Sequence, residues 1–281
     1  MPRTVLVTGA TSGIGRVAAE RLGERGWRVL VHGRNRERGE RVVDAIESAG
    51  SEAVFHRADF ADVDAVRNLA ATVREEPRLD ALVNNAALSV NEYREAEGVE
   101  LTLAVNHLAP YLLTHELLPL LRESAPARVV VTASGVHFRG EIDPENLSMP
   151  DYDALDAYAR SKLANVLFAV ELASRLDPAA VTANAYHPGF VPDTGLYRDS
   201  SLPVRLATRL ASLVPGVGTS TAAGADGLVY LTDADDVADV TGAYFARRER
   251  EEPDSRAHDT GLRERLWDVS ADLVGVDPDW P

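Results

Sequence analysis

Apolar and polar residues along the chain follow two different periods. Short β-branched runs near 3–8, 28–33, 52–57, 79–84, 127–133, 180–186 and 241–246 have the length of strands, and amphipathic stretches near 14–26, 36–49, 62–76, 97–123, 155–176 and 220–232 follow the period of helices. Gly26, Gly50, Pro77 and Pro178 close several of these helices. Repeated strand–helix units feed parallel sheets, so the pattern predicts an α/β fold with a doubly wound, seven-stranded parallel sheet flanked by helices. No linker-like stretch or repeat interrupts it, and a single domain spanning 1–281 is expected. Two segments break the rhythm. Residues 136–154, with Gly140, Pro144 and Pro150, read as an extended loop, and residues 190–219, with Pro192, Pro203 and Pro215, read as a flap or lid. Loops at the carboxyl ends of parallel strands are where such sheets bind ligands. After about 247 a charged stretch leads to Leu262, Leu266, Trp267, Val269 and Leu273, spaced for a helix at about 259–274 that packs on the body.

Charge and composition narrow the range of partners. The 281 residues include 29 Lys plus Arg against 44 Asp plus Glu, a net charge of −15 that repels nucleic acid and anionic lipid. There is no cysteine, which excludes disulfides, thiolate metal sites and cysteine nucleophiles. No apolar run reaches about 18 residues and the N-terminus lacks the apolar core of a signal peptide, so a cytoplasmic protein without membrane contact is expected. No metal is expected. His115-Glu116 has Pro119 where a zinc-binding helix needs its second histidine, and Asp233, Asp235, Asp236 and Asp239 lack the glycine and closing glutamate of a calcium loop.

Directly after the first strand stands Thr8-Gly9-Ala10-Thr11-Ser12-Gly13-Ile14-Gly15, followed by a helix. Residues without a Cβ let backbone N–H groups and the helix N-terminus approach a pyrophosphate, so Gly9, Thr11, Ser12, Gly13, Ile14 and Gly15 are candidate dinucleotide contacts. The second strand ends His32-Gly33-Arg34-Asn35, without the acid that NAD-selective sites place against the ribose hydroxyls. Arg34 offers a planar cation for a 2′-phosphate, so NADP(H) is expected in preference to NAD(H); alternatively Arg34 is a solvated arginine like Arg36 and Arg38.

Tyr158-Ala159-Arg160-Ser161-Lys162 sets a phenol and the chain's single lysine at i and i+4 on one helix face. A cation within about 4–6 Å lowers an acid's pKa by about 1–3 units, which brings the phenol of Tyr158 into range for proton transfer. The bland alternative is a surface lysine beside a tyrosine at the core edge.

These residues, with Asp59, Asn84-Asn85-Ala86-Ala87, Asn106, Ser134 and Pro188-Gly189 in the same order, resemble the classical short-chain dehydrogenases/reductases over nearly the whole chain. Within that family Arg34 to Glu40, Ser161 to Leu167, His187-Pro188-Gly189 and Leu266 to Ser270 are similar to the retinol dehydrogenase-like branch. The resemblance implies a Rossmann fold in which Ser134 hydrogen-bonds the substrate oxygen and Tyr158 donates or accepts the proton. Lys162 would hold the nicotinamide ribose, and Asn106 would anchor a water relay to Lys162. Asp59, by itself equally a helix cap, would hold the adenine amino group. Asn35, Phe60, Asn85, Ala86, Ala87, Pro188, Gly189, Val191 and Thr194 would complete the cofactor contacts. The lesser alternatives, from sequence position alone, are that Ser134 caps a strand turn and that Asn106 merely satisfies backbone groups in its helix.

Departures from the family pattern are instructive. Ala87 replaces a common glycine, an extra residue stands within Phe190-Val191-Pro192-Asp193-Thr194, and the membrane anchor of many animal retinol dehydrogenases is not expected here. The expected activity is NADP(H)-dependent reduction of a small or lipophilic aldehyde or ketone, or oxidation of the matching alcohol. A catalytically silent NADP(H) sensor is one rival, and a protochlorophyllide reductase-like enzyme is another, the latter opposed by the lack of cysteine. Leu202, Val204, Leu206, Leu210, Leu213 and Val214 would form a lid over a hydrophobic substrate or a helix packed on the core. Family members pair through helices here at about 97–123 and 155–176, so a homodimer or homotetramer is compatible with the chain, with the 136–154 loop as an obstacle to that pairing.

Overall fold

Val5, Leu6 and Val7 in the first strand are each 0% exposed, so the sheet must be covered on both faces. The computed structural model describes residues 1–192 and 218–281. Its strands are β1 (Thr4–Val7), β2 (Arg28–Gly33), β3 (Ala53–Arg57), β4 (Ala81–Asn84), β5 (Glu95–Ala96), β6 (Val99–Glu100), β7 (Ala127–Thr132), β8 (Val181–His187), β9 (Tyr244–Ala246) and β10 (Glu249–Glu251). The helices are α1 (Gly13–Glu24), α2 (Arg36–Ser48), α3 (Val63–Val73), α4 (Leu101–Leu103), α5 (Ala109–Glu123), α6 (Ala154–Arg175), α7 (Thr221–Asp233) and α8 (Thr260–Val274).

The main sheet has the order β10-β9-β8-β7-β4-β1-β2-β3. The seven expected strands are all present and run parallel, and an eighth, β10, pairs antiparallel with β9. Strand β10 was not legible because Glu249, Arg250 and Glu251 are all exposed, so no face imposes an alternation. Side chains alternate across the sheet: Leu6 and Leu30 face the core built with α3, α5, α6 and α8, while Val5, Val7, Val29 and Val31 face the core built with α1, α2 and α7. Between β1 and β4 the chain changes direction along the sheet, which opens a crevice at their carboxyl ends.

The helix expected from 97 begins later. Glu95–Glu100 forms a hairpin whose turn places Glu97 (φ 51) and Gly98 (φ 78) in the left-handed region, and the helix starts at Leu101. The Glu100 carboxylate accepts from the N–H groups of Thr102 and Leu103, capping it. A π-helical turn, Ala104–Leu108, joins α4 to α5.

The C-terminal helix lies across α5 and α6. Trp267 and Trp280 close on Tyr111 with ring centroids 5.0 and 5.1 Å away, and the Trp280 indole donates to the Tyr111 hydroxyl at 2.9 Å. Glu171 on α6 accepts from Arg175 at 2.8 Å and from Arg263 on α8 at 3.0 Å. The chain's own C-terminus therefore occupies part of the surface through which pairing was expected. Replacing Trp280 by Ala empties a buried aromatic site, and we expect a loss of about 3 kcal/mol of stability, read as a lower urea midpoint with an unchanged slope.

Candidate active site

The first βα turn is shaped by contacts that exclude side chains. Gly9 and Gly13 have φ of 66° and 58°. A Cβ on Gly15 would stand 2.3 Å from Asn85 Nδ2 and 2.7 Å from the Gly9 carbonyl, so only glycine lets α1, the β1 loop and the β4 loop meet. Thr8 and Asn85 lock that meeting: the Thr8 hydroxyl accepts from the N–H groups of Asn85 and Ala86 at 2.8 and 3.0 Å, and Asn85 Nδ2 donates to the Thr8 carbonyl at 2.9 Å. Ser12 is the N-cap of α1 but its side chain makes no capping bond, which leaves the first N–H groups of a twelve-residue helix for an anion.

His32 ties three strand ends together. Its Nδ1 accepts from Gly9 N–H at 3.3 Å, its Nε2 donates to the Ala58 carbonyl at 3.2 Å, and its ring stacks on Phe60 with centroids 4.3 Å apart. Burial lowers its pKa to about 4, so the imidazole is neutral with the proton on Nε2.

The crevice beside this loop is a cavity of about 850 Å³. At one end Arg34, Arg38 and Asp59 form its wall. The Arg34 guanidinium stands 3.8 Å from the Asp59 carboxylate, both largely exposed. Arg38 Nε is buried and has no hydrogen-bond partner among the described residues. Asn35 is not part of the wall; its side chain caps α2 by accepting from Arg38 N–H at 2.9 Å.

At the other end stand Ser134, Tyr158 and Lys162, all in the wall. Lys162 is 1% exposed, its Nζ donates to the Thr132 carbonyl at 2.9 Å, and that nitrogen lies 5.5 Å from the centre of the Tyr158 ring. Burial lowers the Lys162 ammonium from its ordinary value to about 7. Ser134 caps a 3₁₀ turn, Gly135–Arg139, with its Oγ accepting from Val136 N–H at 3.5 Å, so the hydroxyl proton is left for another acceptor.

Asn106 is fully buried in the π turn and is not a wall residue. Its Oδ1 accepts from Leu88 N–H at 2.8 Å, and its Nδ2 donates to the Leu88 carbonyl at 2.9 Å and to Ser161 Oγ at 3.0 Å. The side chain braces the β4 loop against α6. Of the other expected contacts, Gly9, Thr11, Ser12, Gly13, Ile14 and Gly15 line the same cavity, as do Phe60, Asn85, Ala86 and Ala87 and, on the β8 side, Pro188, Gly189 and Val191. Thr194 and the apolar set from Leu202 to Val214 lie outside the described residues.

A family model described as short chain dehydrogenase matches residues 3–202. The chain belongs to the short-chain dehydrogenase family. Dehydrogenase/reductase SDR family member 13 of Bos taurus is 42% identical over 282 residues, which cover 98% of this chain and 74% of that one. Retinol dehydrogenase 14 of Mus musculus is 39% identical over 290 residues, 98% of this chain and 86% of its own. A short chain dehydrogenase from Burkholderia cenocepacia, solved in complex with NADP, superposes with a TM-score of 0.71 at 28% identity, covering 87% of this chain and 95% of that one. The short-chain dehydrogenase is thus an α/β oxidoreductase with retinol dehydrogenase-like relatives. Among the described residues, no helix is long and apolar enough to cross a membrane.

Sequence reasoning gave no role to His32 or to the Thr132 carbonyl, and it treated Arg38 as solvated. Arg38 follows Arg34 by four residues and was findable as a second cation near the same strand end. A backbone acceptor such as the Thr132 carbonyl carries no signal in residue type.

Proposed function

We propose that this short-chain dehydrogenase transfers hydride between NADP(H) and a carbonyl or alcohol substrate, chiefly reducing an aldehyde or ketone, with Tyr158 as proton donor. The observation that carries this reading is one continuous cavity whose wall includes Arg34 and Arg38 at one end and Ser134, Tyr158 and Lys162 at the other. The residues fit a dinucleotide: Gly9 and Gly15 leave no room for a Cβ, the α1 N-terminus is uncapped by Ser12, and the Arg34 and Arg38 side chains in the cavity wall suit an anion. The NADP bound by the Burkholderia cenocepacia relative supports the same choice.

When bound, the nicotinamide supplies the hydride. The chain's residues manage the oxygen that becomes an alkoxide. Ser134 donates its free hydroxyl proton in a hydrogen bond to that oxygen, and Tyr158 gives up the proton that completes the alcohol. Lys162, held by the Thr132 carbonyl, stabilises the phenolate left behind while it is charged. Asn106 keeps the β4 loop and Ser161 in register, a positioning role. Asp59 would hold the adenine amino group, and Arg34 with Arg38, in the same stretch of wall, would hold the 2′-phosphate. Leu88, Val136, Leu155 and Phe190 make the substrate side apolar, which favours a lipophilic carbonyl.

The coenzyme preference tests this reading. Wild type should show at least about tenfold higher kcat/KM with NADPH than with NADH, since each charge-assisted contact to a phosphate contributes about 1.5–3 kcal/mol. The Arg34→Ala/Arg38→Ala double variant should lose that preference through KM for NADPH, with NADH kinetics unchanged. A wild type that prefers NADH contradicts the NADP assignment.

A further inference from the structure

The peptide joining Ser134 to Gly135 is gripped at both ends by histidines. His137 Nδ1 donates to the Ser134 carbonyl at 2.8 Å, while its Nε2 accepts from Asp254 N–H at 3.1 Å. On the other side, Gly135 N–H donates to His187 Nδ1 at 3.0 Å. An imidazole that accepts at Nδ1 and is neutral must carry its proton on Nε2. His187 is held neutral by burial and by the neighbouring His137 and Arg247, which lower its pKa to about 4.

That Nε2–H has no acceptor among the described residues, although His187 belongs to the cavity wall beside Ser134 and Gly135. A Cβ on Gly135 would approach Nε2 to 3.0 Å, so glycine at 135 is what keeps the donor open to the cavity. An uncharged donor fixed in direction, one residue from the hydroxyl that meets the reacting oxygen, is suited to a second, neutral substrate oxygen.

We propose that His187 is a specificity-determining residue that donates Nε2–H to an oxygen borne near the reacting carbonyl, so that α-oxygenated aldehydes and ketones are preferred over their hydrocarbon counterparts. The proposal rests on the carbonyl-reductase reading. His137 sets the loop and His187 reads the substrate; neither takes part in proton transfer.

The test compares hexanal with its 2-hydroxy derivative in wild type, His187→Asn, His187→Leu and Gly135→Ala, with the NADPH dissociation constant of each measured by fluorescence titration. The asparagine amide can keep the bond to Gly135 N–H but is too short to place a donor at the Nε2 position, which separates substrate reading from loop support. Taking hydroxyaldehyde over aldehyde kcat/KM, we expect the wild-type ratio to fall about tenfold in all three variants, chiefly through KM, with NADPH affinity unchanged. A ratio unchanged in His187→Asn, or a change explained by weaker NADPH binding, overturns the proposal while leaving the reductase reading intact. A wild type that binds NADPH yet reduces neither aldehyde overturns the reductase reading and the proposal with it.

Discussion

Tyr158→Phe should lower kcat for carbonyl reduction by about 10²- to 10⁴-fold while leaving the NADPH dissociation constant within about twofold. The substitution keeps the ring over Lys162 Nζ, 5.5 Å from its centre, and keeps the shape of the cavity wall. It removes only the proton that the developing alkoxide requires. Lys162→Met should also depress turnover, but by a different route, since it deletes the cation that stabilises the phenolate and frees the Thr132 carbonyl. Stopped-flow single turnovers with NADPH and an aldehyde separate chemistry from binding. Equal rates in wild type and Tyr158→Phe contradict the proton-donor role.

Acidification from pH 7 to pH 4.5 should remove several kcal/mol of stability, an effect of the order of the protein's whole margin. His32, His107 and His187 are buried and neutral, with pKa values lowered from 6.5 to about 4. Between those values the unfolded chain binds protons that the folded chain refuses. Stability from this source is therefore complete above about pH 6.5 and is lost as pH falls towards 4. Lys162 acts with the same sign at higher pH. Its ordinary value is 10.5 and its folded value about 7, so the penalty for burying the ammonium is relieved as pH rises from 7 towards 10. Above about 10 the sign reverses, because burial holds Tyr111, Tyr186 and Tyr244 protonated in the fold alone. Urea midpoints should climb from pH 4.5 through pH 10, first with the histidines and then with Lys162, and fall again only above about pH 10. His107 donates from Nε2 to Ser270 Oγ at 2.9 Å, and Ser270 in turn donates to the Leu266 carbonyl. His107→Leu should shrink the acid slope by one proton. A slope that does not change contradicts the assignment of His107 as a buried neutral histidine.

The parts of this molecule written in residue type were legible before any coordinates. Parallel strands covered on both faces are unbroken apolar runs, as at Val5-Leu6-Val7 and Val129-Val130-Val131, and all seven were placed. The Tyr158 and Lys162 pair followed from helix periodicity, since one turn puts i and i+4 together. The glycine loop was readable because Gly9 and Gly13 take left-handed backbone angles and a Cβ on Gly9 or Gly15 would collide with its neighbours. Three things were hidden for physical reasons. Strand β10 is charged and exposed, so it has no apolar alternation to read. The hairpin Glu95–Glu100 has two-residue strands with only Ala96 and Val99 as apolar positions, too short for an alternation to show, and only Gly98 marks its turn. Asn106 was expected as the anchor of a water relay and Asn35 against the cofactor; the Asn106 side chain bonds the Leu88 backbone and Ser161 Oγ, and the Asn35 side chain caps α2. Local hydrogen bonding of this kind competes for every asparagine, and residue type cannot say which partner wins.

Incubating the protein with NADPH carrying deuterium on both C4 positions of the nicotinamide and with a lipophilic aldehyde, then weighing the alcohol by mass spectrometry, follows the hydride itself. Wild type should form an alcohol with one deuterium on the former carbonyl carbon, and Tyr158→Phe should lower the rate of its formation at least a hundredfold. NADPH bound in the cavity with no deuterium reaching any of a panel of aldehydes and ketones would contradict it.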